Sequence, residues 1–137
     1  MTNTVANEIC KYISNLTATN PICVALGTTF TEASNLFLGI EQIKDVDSLT
    51  VIPYGGSPPT TDRHESAVQI RVKSSSNSRS LRMSQATINV LHGNDSVCAS
   101  APGKVFAQQS SPIILGYLEG GDYCITVSNY IVKHVKL

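Results

Sequence analysis

Apolar and polar positions along the chain change their period three times. Near the N-terminus, Val5, Ile9, Tyr12, Ile13 and Leu16 recur at the i, i+4, i+7, i+8, i+11 spacing of one helical face. This predicts a helix over residues 3–17, with Thr2, Asn3 or Thr4 placed to cap its start. "ATNPI" ends it, because Pro21 cannot continue a helix and restricts Asn20 as well. The period then shortens. "ICVAL" (22–26) and "NLFLGI" (35–40) read as short strands, and the acidic turn region "KDVDS" leads into "SLTVIPYG" (48–55). That run carries β-branched and aromatic residues until Pro53 and a glycine pair interrupt it. "SAVQIRVKS" alternates most strictly: Val68, Ile70 and Val72 against Gln69, Arg71 and Lys73, which predicts one buried face and one wet face.

Helical spacing returns over residues 79–92, where Leu81, Ile88 and Leu91 share a face with Ala86 and Val90 beside them. Gly93 is a good stop, since glycine takes the left-handed cap conformation cheaply. "KVFAQQSS" (104–111) reads as a strand. "PIILGYLEGGDYCITVSNYIVKHV" reads as a long hairpin turned at Gly120-Gly121, with Tyr123, Ile125, Val127 and Ile131 on a common face. The order is helix, strands, helix, strands, with hairpin signals and no repeating βαβ rhythm. This predicts an α+β fold: a single domain over residues 1–137, with an antiparallel or mixed β-sheet and two helices packed on one face.

Composition sharpens the picture a little. At 137 residues, with 42% hydrophobic and 15% charged residues, the chain is long enough to bury a core without metal or disulfide help. No apolar run approaches a bilayer span and the first residues are amphipathic and polar, so no membrane partner is expected and folding in a cytoplasm is. Ten basic and ten acidic residues balance, which excludes a global field for nucleic acid. They are unevenly spread. Residues 1–62 hold six acids against Lys11 and Lys44, while residues 63–94 hold Arg63, Arg71, Lys73, Arg79 and Arg82 against Glu65. An acidic side and a basic side suit head-to-tail self-association; scatter over a solvated surface is the bland alternative.

The search for chemistry returns little. Cys10, Cys23, Cys98 and Cys124 form no CxxC and have no closely spaced histidine, which argues against structural zinc and for small buried hydrophobes. His64, between Asp62 and Glu65, reads as a hydrated loop tip, His92 as a helix C-terminal cap, and His134 as solvated beside Lys133 and Lys136. No nucleophile elbow, HExxH, phosphate loop or GxGxxG occurs. No catalytic residue, metal site or cofactor is expected. "VIPYGGSPPTTDRHES" therefore reads as a contact loop, stiffened by Pro58-Pro59 so that less entropy is lost when it docks.

"NLFLG" followed by "LTVIPYGGSPP", then "VQIRVKS" leading into a helix, and finally "SPIILGYLEGGDYCITVSNYIVK", together resemble the minor capsid and tail-terminator proteins of long-tailed bacteriophages. The resemblance spans nearly the whole chain in element order, through structural patterns and no catalytic signature. It implies a virion subunit, assembled in the bacterial host cytoplasm, that closes into a ring of typically six copies at the head-proximal end of the tail tube. Its partners would be itself, the tail tube protein and the neck or head-closure protein, with genomic DNA passing through the lumen without specific binding. Gly55, Gly56, Pro58, Pro59 and Arg63 in the loop, with Arg71, Lys73, Arg79 and Arg82, are the expected interface residues. Four cysteines depart from that family picture and leave disulfides between neighbouring subunits as the alternative to buried thiols. Another neck connector, a small enzyme built around His64 and a monomeric ligand-binding domain are the competing readings.

Overall fold

The computed structural model describes residues 4–40, 46–58, 63–98, 103–117 and 122–135. In chain order the elements are α1 (Val5–Ser14), α2 (Pro21–Leu26), β1 (Leu36–Leu38), β2 (Ser48–Gly56), β3 (Arg63–Ser74), α3 (Asn77–Leu91), β4 (Gly103–Ala107), β5 (Ile113–Tyr117) and β6 (Cys124–Val135). The six strands form one mixed sheet ordered β1-β2-β3-β6-β4, with β5 also paired to β6. β1 runs parallel to β2 and every other pairing is antiparallel. The helices pack against this sheet in a single α+β domain, as the sequence predicts.

α1 starts where Thr4 accepts a hydrogen bond from the Asn7 amide, and its face Val5, Ala6, Ile9, Cys10 and Ile13 is buried. "ICVAL" is a correction: it is a helix, not a strand. Asn20 Oδ1 accepts from the Ile22 amide, Pro21 occupies the first helical turn, and Gly27 closes the helix at φ 95° with its N–H donating to the Cys23 carbonyl. Five apolar residues fit either element, so the flanking punctuation decides. Three helices result where the pattern predicts two.

α3 begins at a Ser76 cap and ends before Gly93, which takes φ 76° as expected. Its buried side differs from the predicted stripe. Ser80, Met83, Ser84, Thr87, Ile88 and Leu91 face inward, and Leu81 stays half-buried. The Ser80 and Ser84 hydroxyls lie 2.9 and 2.7 Å from Thr126 Oγ1 on β6, so small hydroxylated side chains seat the helix closely on the sheet.

β3 and β6 pair over twelve residues each, from Arg63 opposite Val135 to Ser74 opposite Cys124. The main core lies between this sheet and the helices, with Leu49, Val51, Val68, Ile70, Val72, Tyr130 and Val132 facing α1 and α3. The opposite face is not simply wet, which corrects the alternation argument. Lys73 is only 3% exposed, with its ammonium 5.3 Å from the Tyr123 ring centroid, and Phe37, Thr50, Ile125 and Val127 are buried on that side too.

Candidate assembly interface

The strand register places residues at defined levels along the sheet. One row runs Phe37, Thr50, Arg71, Val127, Ile113 across β1, β2, β3, β6 and β5. The next runs Leu36, Leu49, Val72, Thr126, Ile114. β1 and β5 are thus the two ends of one continuous five-strand ladder. β4 lies further along β6, opposite Tyr130 to His134.

β5 is the most unusual element. Ile113, Ile114, Leu115 and Tyr117 are all 44 to 61% exposed, on a strand with a neighbour on only one side among the described residues. Ile114 shares the helix face with Tyr117, Ile113 lies on the other face, and Leu115 sits at a bulge between Ile114 and Gly116. An edge strand presents unpaired amides and carbonyls, and proteins that stay apart usually protect such edges with lysine, proline or short length. Here large apolar side chains occupy both faces. At the other end, Leu38 and Ile40 are exposed beside β1, and a cavity of about 240 Å³ lined by Asn7, Cys10, Glu32, Ala33 and Leu38 opens between α1 and that edge.

The interface residues expected from sequence do not gather into one patch. Gly55, Gly56 and Pro58 are exposed where β2 leaves the sheet, and Arg63 is exposed at the start of β3. Pro59 and the Gly120-Gly121 turn lie outside the described residues. Arg71 is half-buried and Lys73 buried on the face away from the helices, whereas Arg79 and Arg82 belong to α3 on the helix side. Arg79 is already engaged, its guanidinium 2.7 Å from Asp47 Oδ2. Arg82 alone of the α3 pair is exposed. Sequence places possible pairing edges between subunits only broadly, in the strands around 104–135, and the structure singles out β5 among them. Its signal is "IIL", three consecutive apolar residues where a half-buried strand should alternate.

Two histidine readings also change. His64 is a half-buried residue of β3, not a loop tip, and His134 is 7% exposed rather than solvated. They sit directly opposite one another on β3 and β6, with ring centroids 5.5 Å apart. His134 Nδ1 lies 2.7 Å from the Val135 carbonyl, which can only accept, so Nδ1 carries a hydrogen. In the neutral ring Nε2 then accepts from the Ser66 hydroxyl at 2.8 Å. Gly103 faces His134 from β4, where a Cβ would crowd the His134 Cβ. Around this end a cleft of about 400 Å³ is lined by Arg63, Lys104, Lys133 and both histidines, with Glu65 3.7 Å from Lys133. The serine–histidine pair has a backbone carbonyl where a nucleophile-activating triad has a carboxylate. Sequence spacing of 68 residues hides this cluster; only the β3–β6 register assembles it. His92 does cap α3, through its backbone N–H on the Ile88 carbonyl, while its Nδ1 accepts from the Ala107 amide of β4 at 3.0 Å.

All four cysteines are free and buried. Burial, followed by the nearby Glu32 charge, pushes the Cys10 thiol up to about 11. Burial likewise raises the Cys23 thiol, with a smaller opposing hydrogen bond at Phe30, and raises Cys98, with help from Glu8. Among the described residues no group of three His, Cys, Asp or Glu is placed to hold a metal ion, and no helix is long and apolar enough to cross a membrane. Against known proteins, no family model and no curated sequence matches the chain.

Proposed function

We propose that this chain is a structural subunit that closes head-to-tail into a ring, of the kind that ends a phage tail tube and joins it to the neck. The observation that carries this reading is β5: a strand with a neighbour on one side among the described residues, whose four large apolar side chains stay 44 to 61% exposed. Leaving such a strand in water costs hydrophobic free energy and invites pairing, so its natural state is inside an assembly. A single exposed edge of this kind cannot face itself in a closed rotational ring, which needs two different complementary surfaces. The less apolar β1 end of the same ladder supplies a different surface.

The mechanism is exchange of interfaces without bond chemistry. Copies joined laterally form a ring, one ring face sits on the last tube ring, and the other presents a surface to the neck that no longer templates tube growth. Size-exclusion chromatography with light scattering and negative-stain microscopy of the purified chain test it. Annular particles of about sixfold symmetry are expected. A monomer at all accessible concentrations would overturn the reading.

A further inference from the structure

We infer that the cleft at the corner of the sheet where β3, β6 and β4 meet binds a dianionic phosphate group, free or carried on a small ester. The inference goes beyond the assembly reading and does not depend on it.

Register builds the site. Glu65, Lys133 and Lys104 lie side by side on β3, β6 and β4, and Arg63 stands two residues along β3 on the same face. Val132 and Val105, their chain neighbours, belong to the core, so this row faces away from the helices. Lys104 is thereby set directly opposite Lys133 across an antiparallel pair. Like charges in that position cost stability. The two ammoniums also share one aromatic neighbour, at 6.0 and 5.5 Å from the Phe106 ring centroid, which gathers both charges around a single ring. A local cost of this kind, kept in a sheet that is otherwise well paired, is what a binding site carries.

One carboxylate does not balance the row. Glu65 divides its oxygens between Lys133, at 3.7 Å, and the Ser57 hydroxyl, at 3.1 Å. Lys104 has no carboxylate partner among the described residues. Arg63, Lys104 and Lys133 all line the cleft with Glu65, and three positive charges against one negative leave two in excess before either histidine is counted. A phosphate dianion closes that balance, whereas a single carboxylate would leave one charge over. The cleft holds about 400 Å³, a size that takes a small molecule. Its other lining suits an oxyanion as well. Gly103 puts no side chain into the corner, and His64 meets the His134 ring while using no ring nitrogen in a hydrogen bond among the described residues, so it has a donor to offer.

Equilibrium dialysis of the full chain against radiolabelled inorganic phosphate tests this, at constant ionic strength and a mildly alkaline pH where phosphate is mainly dianionic. Saturable uptake of one phosphate per chain is expected. Lys104 is exposed, so its replacement spares the core. Lys104→Glu should weaken uptake by about tenfold or more and Lys104→Gln by about fivefold. Lys11→Glu, the same charge change on an exposed position of α1, should leave it unaltered. Circular dichroism and Tm of each variant separate lost binding from lost folding. Displacement of the label by glycerol phosphate would assign the site to phosphate esters, and failure to displace it would assign free phosphate. Uptake that rises without saturating, or that falls equally in Lys104→Glu and Lys11→Glu, would show general charge attraction only and overturn the site. The assay reads single chains and rings alike, so its failure leaves the ring reading standing.

Discussion

Asp47 fastens the entry of β2 to the connection between β3 and α3. Its two oxygens take the Ser75 amide at 3.0 Å and the Arg79 guanidinium at 2.7 Å. Burial alone would raise its carboxyl, but hydrogen bonds from Arg79, Ser75 and Ser74 and the charge of Arg79 outweigh it and hold the carboxyl below its usual value. A depressed folded-state value contributes stability that is complete above the unfolded value, about pH 4, and is lost as pH falls through the folded one. Asp47→Asn should therefore destabilise at neutral pH by about 1 kcal/mol, since Arg79 is 41% exposed and screened by solvent. Urea midpoints measured from neutral to acid pH should show that difference shrinking; a constant difference would deny the ion pair its role. The cysteines give a second residue-scale test. With every thiol buried and Cys10 raised to about 11, Ellman's reagent at mildly alkaline pH should react slowly with the folded chain and fully in denaturant. Rapid release of one equivalent would mark an accessible thiol. Neither the Asp47–Arg79 pair, 32 residues apart, nor the Ser66–His134 pair was legible in sequence, because both depend on which strands become neighbours.

At the scale of elements, the sequence was most readable where punctuation and period agreed. α1 with its Thr4 cap, the buried Val68, Ile70 and Val72 face of β3 and the Gly93 stop fall where the pattern puts them. "ICVAL" failed because an apolar run carries no period of its own. Pro53 reads as an interruption, yet β2 runs through it to Gly56. β1 ends opposite Val51, so from there β2 is itself an edge, where proline is tolerated. Gly56 makes the β2–β3 hairpin possible. It holds φ 141°, and any Cβ would collide with the Glu65 carbonyl across the pair. Gly56→Ala should cost about 2 kcal/mol or more by forcing the hairpin to shift. Thermal denaturation would show this as a lower Tm, while Gly55→Ala, with open space around its Cβ position, should cost less. Equal costs would contradict the collision.

For the whole molecule, part of the uneven spread of charge along the chain is spent inside it among the described residues. Asp47 neutralises Arg79, Glu65 approaches Lys133, and Lys73 is buried. Reversing Arg71 together with Arg82, both expected interface residues, would disturb a half-buried strand residue as well as an exposed one, so Arg82 alone is the cleaner probe. Assembly also predicts a thermodynamic signature. If the native chain is held in a ring and the unfolded chain is not, Tm rises with protein concentration. Scanning calorimetry over a hundredfold range of concentration should show that rise; an unchanged Tm would indicate a subunit that folds and stays alone.

By itself the sequence determined the fold class, the helix at each end of the first strand group, the long final strand and the burial of the thiols. Those follow from local period, capping chemistry and composition, which act over a few residues. The tertiary structure alone decided that α2 is a helix packed on α3, that Ser66, His64 and His134 share one end of the sheet, and that β5 and β1 end the same ladder. Pairing register depends on residues far apart in the chain, and a local pattern such as "IIL" marks an unusual strand without saying which strands become its neighbours.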